Sequence, residues 1–150
     1  MAAVDRDTEA TVFNFAPPDA INGKARIGLG TSGMITASVQ YITDDGDNNL
    51  HAHSAEDEAF LVLGGRVRFY GKGDVVIAEI GAHEGIMIPR GFPYWFESSS
   101  GEVLSIYKIG AVDPRFTNER LNYERLTEAQ IARGDRHPLT GRAPVVDERR

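Results

Sequence analysis

The chain contains no cysteine and no long uninterrupted apolar run. The first absence excludes disulfides, zinc ribbons, iron–sulfur clusters and thiol nucleophiles, and the second excludes a membrane-spanning helix. Histidine is also scarce, because the 150 residues include only four. Any metal site must therefore combine those imidazoles with carboxylate, amide or phenol oxygens.

Positive charge is in deficit as well. With 16 Lys and Arg against 22 Asp and Glu, the formal net charge is −6, unlike the basic surfaces that bind nucleic acid. Residues 1–112 carry 8 basic and 15 acidic side chains, whereas residues 113–150 carry 8 and 7. The first residues do not form the basic and then apolar stretch of a signal peptide. We therefore expect a cytoplasmic protein that binds neither nucleic acid nor membranes.

Short apolar runs, each bounded by Gly, Asp, Asn, Ser or Pro, follow one another from residue 23 to 110. Many are rich in Val, Ile, Phe and Tyr, which is typical of short strands joined by turns. We interpret residues 1–22 as an N-terminal arm, 23–112 as an all-β barrel or sandwich and 113–150 as an Arg-rich tail. Within the tail, apolar residues alternating with charged ones over 118–133 predict one or two short helices, and an extended or disordered segment follows.

Two histidines and a glutamate form the most informative pattern. His51 and His53 are two residues apart, so in a strand both side chains project from one face. Glu58 begins the next apolar run, and a strand, a tight loop and a returning strand would bring it beside the two imidazoles. Two imidazoles and one carboxylate are the ligand set of a mononuclear divalent metal. The other histidines, His83 and His137, fall in a turn and in the tail, and we interpret them as bystanders.

This segment resembles the first motif of the cupin family, which reads His-x-His, three or four residues, Glu, six residues, Gly. His51, His53, Glu58 and Gly65 keep that spacing, although the glycine before the motif is one residue closer than usual. The stretch 84–93 matches the frame of the second cupin motif, including its Pro-x-Gly. The resemblance implies a small antiparallel β-barrel of the jelly-roll type, with the metal inside one end.

The likeness, which covers about residues 25–110, fails at one position. The histidine of the second motif falls on Tyr94, and the asparagine four residues later falls on Ser98. Three interpretations stay open. The two histidines and the glutamate hold the metal alone, as in the facial triad of non-haem iron oxygenases; Tyr94 coordinates as phenolate or hydrogen-bonds to a water on the metal; or the pocket binds a ligand without holding a metal tightly.

Side chains expected on the same face of the sheet as these ligands should line a substrate pocket: Phe60, Val62, Phe96 and Gln40. Met34 and Tyr107 are further candidates, although the sequence does not determine which face of the sheet they occupy. Such a pocket suits a small, partly apolar or aromatic molecule that carries one or two oxygen donors.

The resemblance implies one divalent transition metal, with Fe(II) favoured and Mn, Ni, Zn or Cu as alternatives. Oxygenase chemistry on a small organic substrate is the leading expectation, with Tyr94 as a hydrogen-bond donor or general acid. A metal-assisted isomerase or lyase, and a non-catalytic ligand-binding cupin, are the alternatives, because this fold hosts many chemistries. Cupins commonly dimerise, so a homodimer is expected.

Overall fold

Ten short β-strands form most of the regular structure in the computed structural model, which describes residues 9–21, 23–43 and 49–123. In chain order they are β1 (Lys24–Thr31), β2 (Ile35–Ile42), β3 (His51–His53), β4 (Glu56–Gly64), β5 (Arg66–Tyr70), β6 (Val76–Gly81), β7 (Gly85–Ile88), β8 (Trp95–Ser98), β9 (Leu104–Val112) and β10 (Arg120–Asn122). A 3-10 turn at Lys72–Asp74 links β5 to β6. Nowhere in the described part of the chain is there a helix of the length and apolarity that crossing a membrane requires.

Three antiparallel sheets make up the barrel. The first has five strands in the order β1-β2-β9-β4-β7, the second has the order β6-β5-β8, and the third pairs β10 with β3. A bridge between His51 and Tyr94 connects the smallest sheet to the start of β8. The all-β antiparallel barrel predicted from the sequence is therefore confirmed, and its connections bring β3, β4 and β8 to one end of the interior.

The glycine that closes the first motif is required by the turn between β4 and β5. Gly65 has φ of 75°, a conformation that side-chain-bearing residues rarely adopt. A Cβ added there would lie 2.8 Å from the carbonyl oxygen of Val103, so neighbouring backbone would have to move. This glycine lets β4, which carries Glu58, turn sharply into β5.

Strand alternation gives the five-stranded sheet two buried faces. The interior face belongs to the main core, whose buried members are Ile42, Phe60, Val62, Val67, Phe69, Ile80, Ile88, Tyr94, Phe96, Leu104 and Ile106. The opposite face carries a second cluster that includes Val39 and Tyr41, with Tyr107 packed against it. Gln40, between those two residues on β2, therefore faces the interior. Met34 is exposed ahead of β2, so neither Met34 nor Tyr107 faces the barrel interior.

The helix predicted over 118–133 is wrong over the three residues of β10. Those residues pair with β3, placing Arg120 opposite His53 and Asn122 opposite His51. The edge of β3 offers backbone donors and acceptors that must be satisfied, and this tertiary pairing outweighs the weak local helix signal. The remaining predicted helical and extended segment, residues 124–150, lies outside the described residues.

Candidate functional site

The strands β3 and β4 bring the three predicted metal-ligand side chains together at one end of the barrel interior. The imidazole rings of His51 and His53 have centroids 5.1 Å apart and are nearly perpendicular. The Nε2 atom of His53 lies 3.4 Å from Oε1 of Glu58. His51 and Glu58 are buried and His53 is partly exposed, so the site opens to solvent on the side of His53.

His51 is held as a neutral imidazole with a defined tautomer. Its Nδ1 lies 2.6 Å from the carbonyl oxygen of Asn49, and since a carbonyl only accepts, Nδ1 carries the proton. Burial, and then the charge of Arg120, lower the pKa of His51 well below 6.5, so the ring has no second proton. The lone pair of Nε2 is therefore left for another partner, which is how proteins orient a metal-binding histidine.

Tyr94 contacts the same carboxylate, that of Glu58, which also lies beside His53. Its backbone exchanges two hydrogen bonds with His51, of 2.8 and 3.1 Å. Its hydroxyl group donates to Glu58, lying 2.9 Å from Oε1 and 3.0 Å from Oε2. Burial and the negative charge of Glu58 raise the pKa of Tyr94 well above 10. The side chain is therefore a protonated phenol that donates to a buried carboxylate.

A lysine that the sequence interpretation missed completes this cluster. The ammonium Nζ of Lys108, on β9, lies 2.7 Å from Oε2 of Glu58 and 3.6 Å from Oε1 of Glu56. Burial and the positive charge of Lys108 lower the pKa of His53 to about 4. The site thus combines two neutral imidazoles with a carboxylate whose charge is balanced by an ammonium group.

The sequence did contain a signal for Lys108. Leu104 and Ile106 face the barrel core, and Lys108 follows them on the same strand, four residues after the first and two after the second. A strand places such residues on one face, so the pattern puts a lysine at an interior position. Lysine is almost never buried without a partner, and an inward lysine therefore indicates a nearby carboxylate.

The strand β10 fixes the polar residues behind β3. Asn49 donates from Nδ2 to Oδ1 of Asn122 over 2.8 Å, and Arg120 donates to Oδ1 of Asn49. Asn118 donates to Oε2 of Glu56 over 2.8 Å. Because Asn49 also holds the ring of His51, the segment 118–122 positions the first imidazole through one intermediate residue. The sequence interpretation assigned none of these residues to the site.

The residues predicted to line a substrate pocket all face the interior, but they have different neighbours there. Phe60 and Phe96 lie beside Tyr94, their ring centroids 5.9 and 6.5 Å from its own, and Val62 is buried further inside. These three are members of the main core as well as neighbours of the site. Gln40 is also buried, and its Oε1 has no hydrogen-bond partner among the described residues. This oxygen is an acceptor available to a ligand.

The bystander histidines are placed differently. His83 is exposed in the turn between β6 and β7, where its φ of 71° is tolerated by few residues. It lies outside the cluster formed by the other two histidines. His137 lies outside the described residues.

The donor atoms fit a divalent ion by type, and one pair also fits by distance. Two atoms about 2.1 Å from one ion lie roughly 3.4 Å apart at a tetrahedral angle, and His53 Nε2 is 3.4 Å from Glu58 Oε1. His51 adds a neutral imidazole with a free lone pair. In the arrangement described, however, no three His, Cys, Asp or Glu side chains among the described residues converge to hold a metal ion. Glu58 is instead occupied by Tyr94 and Lys108.

Comparison with known families agrees with this barrel. The sequence matches the cupin family over residues 20–122, which is more than half of the chain. The protein therefore belongs to the cupin family, and the fold supports a small-molecule-binding or metal-dependent role in general. No curated protein matches the sequence.

Three solved structures of similar fold are distant from this chain in sequence. A double-stranded β-helix protein from Klebsiella pneumoniae is 15% identical, with a TM-score of 0.58 over 74% of this chain and 92% of the other. KdgF from Halomonas is 12% identical, with a TM-score of 0.56 over 71% and 98%. A cupin superfamily protein from Desulfitobacterium hafniense is 16% identical, with a TM-score of 0.54 over 65% and 84%. At these identities the likeness concerns the fold alone.

Proposed function

We propose that this chain is a metal-dependent cupin enzyme that holds one divalent transition metal and acts on a small organic molecule. The single observation that carries the proposal is the pair formed by His53 and Glu58, whose donor atoms are 3.4 Å apart, beside the free Nε2 of His51. These three residues would hold the ion, with Fe(II) favoured and Mn, Ni, Zn or Cu as alternatives. When bound, it would supply Lewis acidity and, as Fe(II), reducing electrons for O₂.

The chain's own residues then define how a substrate is held. The hydroxyl of Tyr94 carries a proton at a buried position and can donate it as a hydrogen bond to an oxygen that gains charge. Gln40, whose register places it level with Val62, offers an acceptor oxygen deeper in the barrel than Glu58. The aromatic rings of Phe60 and Phe96 exclude water behind the site.

Within this class we favour an oxygenase, because three protein ligands leave open positions for both a substrate and O₂. A metal-assisted isomerase or lyase would use the same residues in the same places. A small, partly apolar substrate with oxygen donors suits this site, because the rings of Phe60 and Phe96 lie beside its polar groups. The homodimer and the cytoplasmic location expected from the sequence stay predictions.

One observation favours a second candidate, a ligand-binding cupin without a metal. The carboxylate of Glu58 accepts from Tyr94 and pairs with Lys108, so its charge is balanced and both of its oxygens have partners. A site of this kind is stable without an ion, and its polar groups would bind a small molecule directly. The two candidates differ in whether the protein takes up a metal.

Metal content of the untagged protein separates the candidates. We expect near-stoichiometric metal after purification or after anaerobic addition of Fe(II), measured by mass spectrometry. His51→Asn should lose that metal, whereas His83→Asn, the same change at an exposed turn, should retain it. Oxygen uptake in the presence of candidate substrates then tests the oxygenase assignment. A wild-type protein that takes up none of the five metals would refute the metal-dependent proposal and leave the second candidate.

A further inference from the structure

Lys108 is unusual among the three lysines of the chain because it faces the barrel interior. Lys24 and Lys72 are exposed, whereas the side chain of Lys108 is 19% exposed. Its Nζ lies 5.9 Å from the centre of the Phe60 ring, where the main core meets the polar side chains of the site. An ammonium group in this position has lost most of its water and must be compensated by protein groups.

Two glutamates provide that compensation. Nζ lies 2.7 Å from Oε2 of Glu58, whose side chain is 1% exposed, and 3.6 Å from Oε1 of Glu56. The hydrogen bond from Asn118 to the other oxygen of Glu56 keeps that second carboxylate in place. Lys108 is thus the nearest counter-charge of the most buried carboxylate in the site.

The same carboxylate is the one that an ion would need. Glu58 is the sole acidic member of the proposed ligand set, and its Oε1 already has the spacing from His53 that a shared ion requires. A dication bound there would share one carboxylate with an ammonium group 2.7 Å from its second oxygen. Two positive charges on one buried carboxylate repel strongly, because little water screens them.

We propose that Lys108 acts as an internal competitor for the metal, holding Glu58 in the metal-free protein and withdrawing when an ion binds. The inference rests on the metal site proposed above. It makes Lys108 a positioning residue that sets the metal affinity and keeps the empty site stable. Its length and flexible stem allow the ammonium group to retreat toward Glu56 and the solvent.

The test compares zinc binding by two matched variants, since Zn(II) is redox-inert and takes imidazole and carboxylate ligands. Isothermal titration should give a dissociation constant for Lys108→Met that is at least roughly tenfold lower than for the wild type, because one repelling charge is gone. Lys24→Met, the same substitution on an exposed part of β1, should bind zinc like the wild type. Lys108→Arg keeps the charge and should not bind zinc more tightly than the wild type.

Thermal unfolding supplies a readout that does not depend on titration. Without zinc, Lys108→Met should melt below both the wild type and Lys24→Met, because it leaves two glutamates without their cation. Zinc should then raise its melting temperature by more than it raises that of the wild type. If Lys108→Met does not fold without zinc, Lys108→Gln, which keeps a polar head group, is measured in its place.

The outcomes separate this inference from the proposed function. Zinc binding by the wild type that is equal or stronger than binding by Lys108→Met overturns the competitor role and leaves the metal site standing. Binding by Lys108→Met alone supports the competitor role in its strongest form. Failure of every variant to bind zinc, with His51→Asn indistinguishable from the wild type, overturns the metal site and this inference together.

Discussion

The two ends of the barrel interior are built in opposite ways. At one end, Phe69, Phe96 and Val62 pack through apolar contact alone. At the other, His51 and Glu58 are as deeply buried, but hydrogen bonds and an ion pair satisfy them. Apolar burial is favourable by itself, whereas each buried polar group first loses its water and recovers that cost only through a partner. Stability therefore comes chiefly from the apolar end, and chemistry from the polar end.

Tyr94 marks the boundary between the two ends. Its ring lies 6.2 Å from that of Phe69 and belongs to the main core, while its hydroxyl contacts Glu58. A single side chain thus contributes apolar area to one end and a hydrogen-bond donor to the other. Substitutions that change one contribution and leave the other intact separate the two roles.

The largest effect is expected from truncating the apolar end. Phe69→Ala removes a fully buried ring whose centroid is 5.4 Å from that of Phe60 and 5.0 Å from that of Phe96. We expect a loss of about 3–5 kcal/mol in the free energy of unfolding, measured by denaturant titration. Phe92→Ala, at a loop ring that is 37% exposed, should cost less than about 1 kcal/mol. Equal losses would contradict the assignment of stability to the apolar end.

Acid should weaken the polar end next. Since the pKa of His53 is about 4 in the folded protein and about 6.5 when unfolded, the unfolded chain takes up a proton first as the pH falls. Stability is therefore full above about pH 6.5 and is lost progressively toward pH 4, by less than roughly 3 kcal/mol for this group because solvent screens its partly exposed ring. Denaturant titrations of chelator-treated protein should reveal that slope.

The variant His53→Gln isolates this contribution from that of the carboxylates, which also titrate in acid. Over the same pH interval its stability should fall by less than that of the wild type. A variant with an unchanged pH profile would show that His53 is protonated equally easily in both states, which contradicts its burial beside Lys108.

The fold and the pair of histidines were predictable because both depend on short-range patterns. Strand alternation and turn residues act over a few positions, and a spacing of two residues places His51 and His53 on one face wherever the strand lies. Glu58 follows after one tight loop, so the local order of the chain brings it to the same end. The cupin motif then supplied the barrel around them.

The remainder of the site depends on contacts between distant parts of the chain. Asn49 meets Asn122 across 73 positions and Arg120 across 71, and nothing near either end of those contacts signals the partner. The pairing of β10 with β3 likewise overrides a local pattern that predicted helix. Among these residues only Lys108 carried a local signal, because it lies on the same strand face as apolar core residues.

A change at Tyr94 that keeps the ring tests the boundary residue. Tyr94→Phe retains the core contacts and removes the hydroxyl that donates to the ionised Glu58. We expect a loss of about 1.5–3 kcal/mol in unfolding free energy, the range for hydrogen bonds to charged groups. Tyr70→Phe removes a hydroxyl bound to the more exposed Glu97 and should cost less, because water can replace it. A larger loss for Tyr70→Phe would contradict the role given to burial.

The smallest loss of stability is expected from breaking a similar charge arrangement on the surface. Arg68, on β5, has Glu79 at 3.2 Å and Glu97 at 4.0 Å, with its side chain 35% exposed. Like Lys108 it is a cation between two glutamates, and the pairs differ chiefly in burial. Arg68→Met should lower the unfolding free energy only slightly, and concentrated salt should reduce the difference further, because exposed pairs are weak and screened. Breaking the buried arrangement with Lys108→Met should cost about 3 kcal/mol or more in the metal-free protein. Denaturant titrations of both variants at low and high salt measure that contrast. Equal losses of unfolding free energy in the two variants would mean that the polar end is hydrated like the surface.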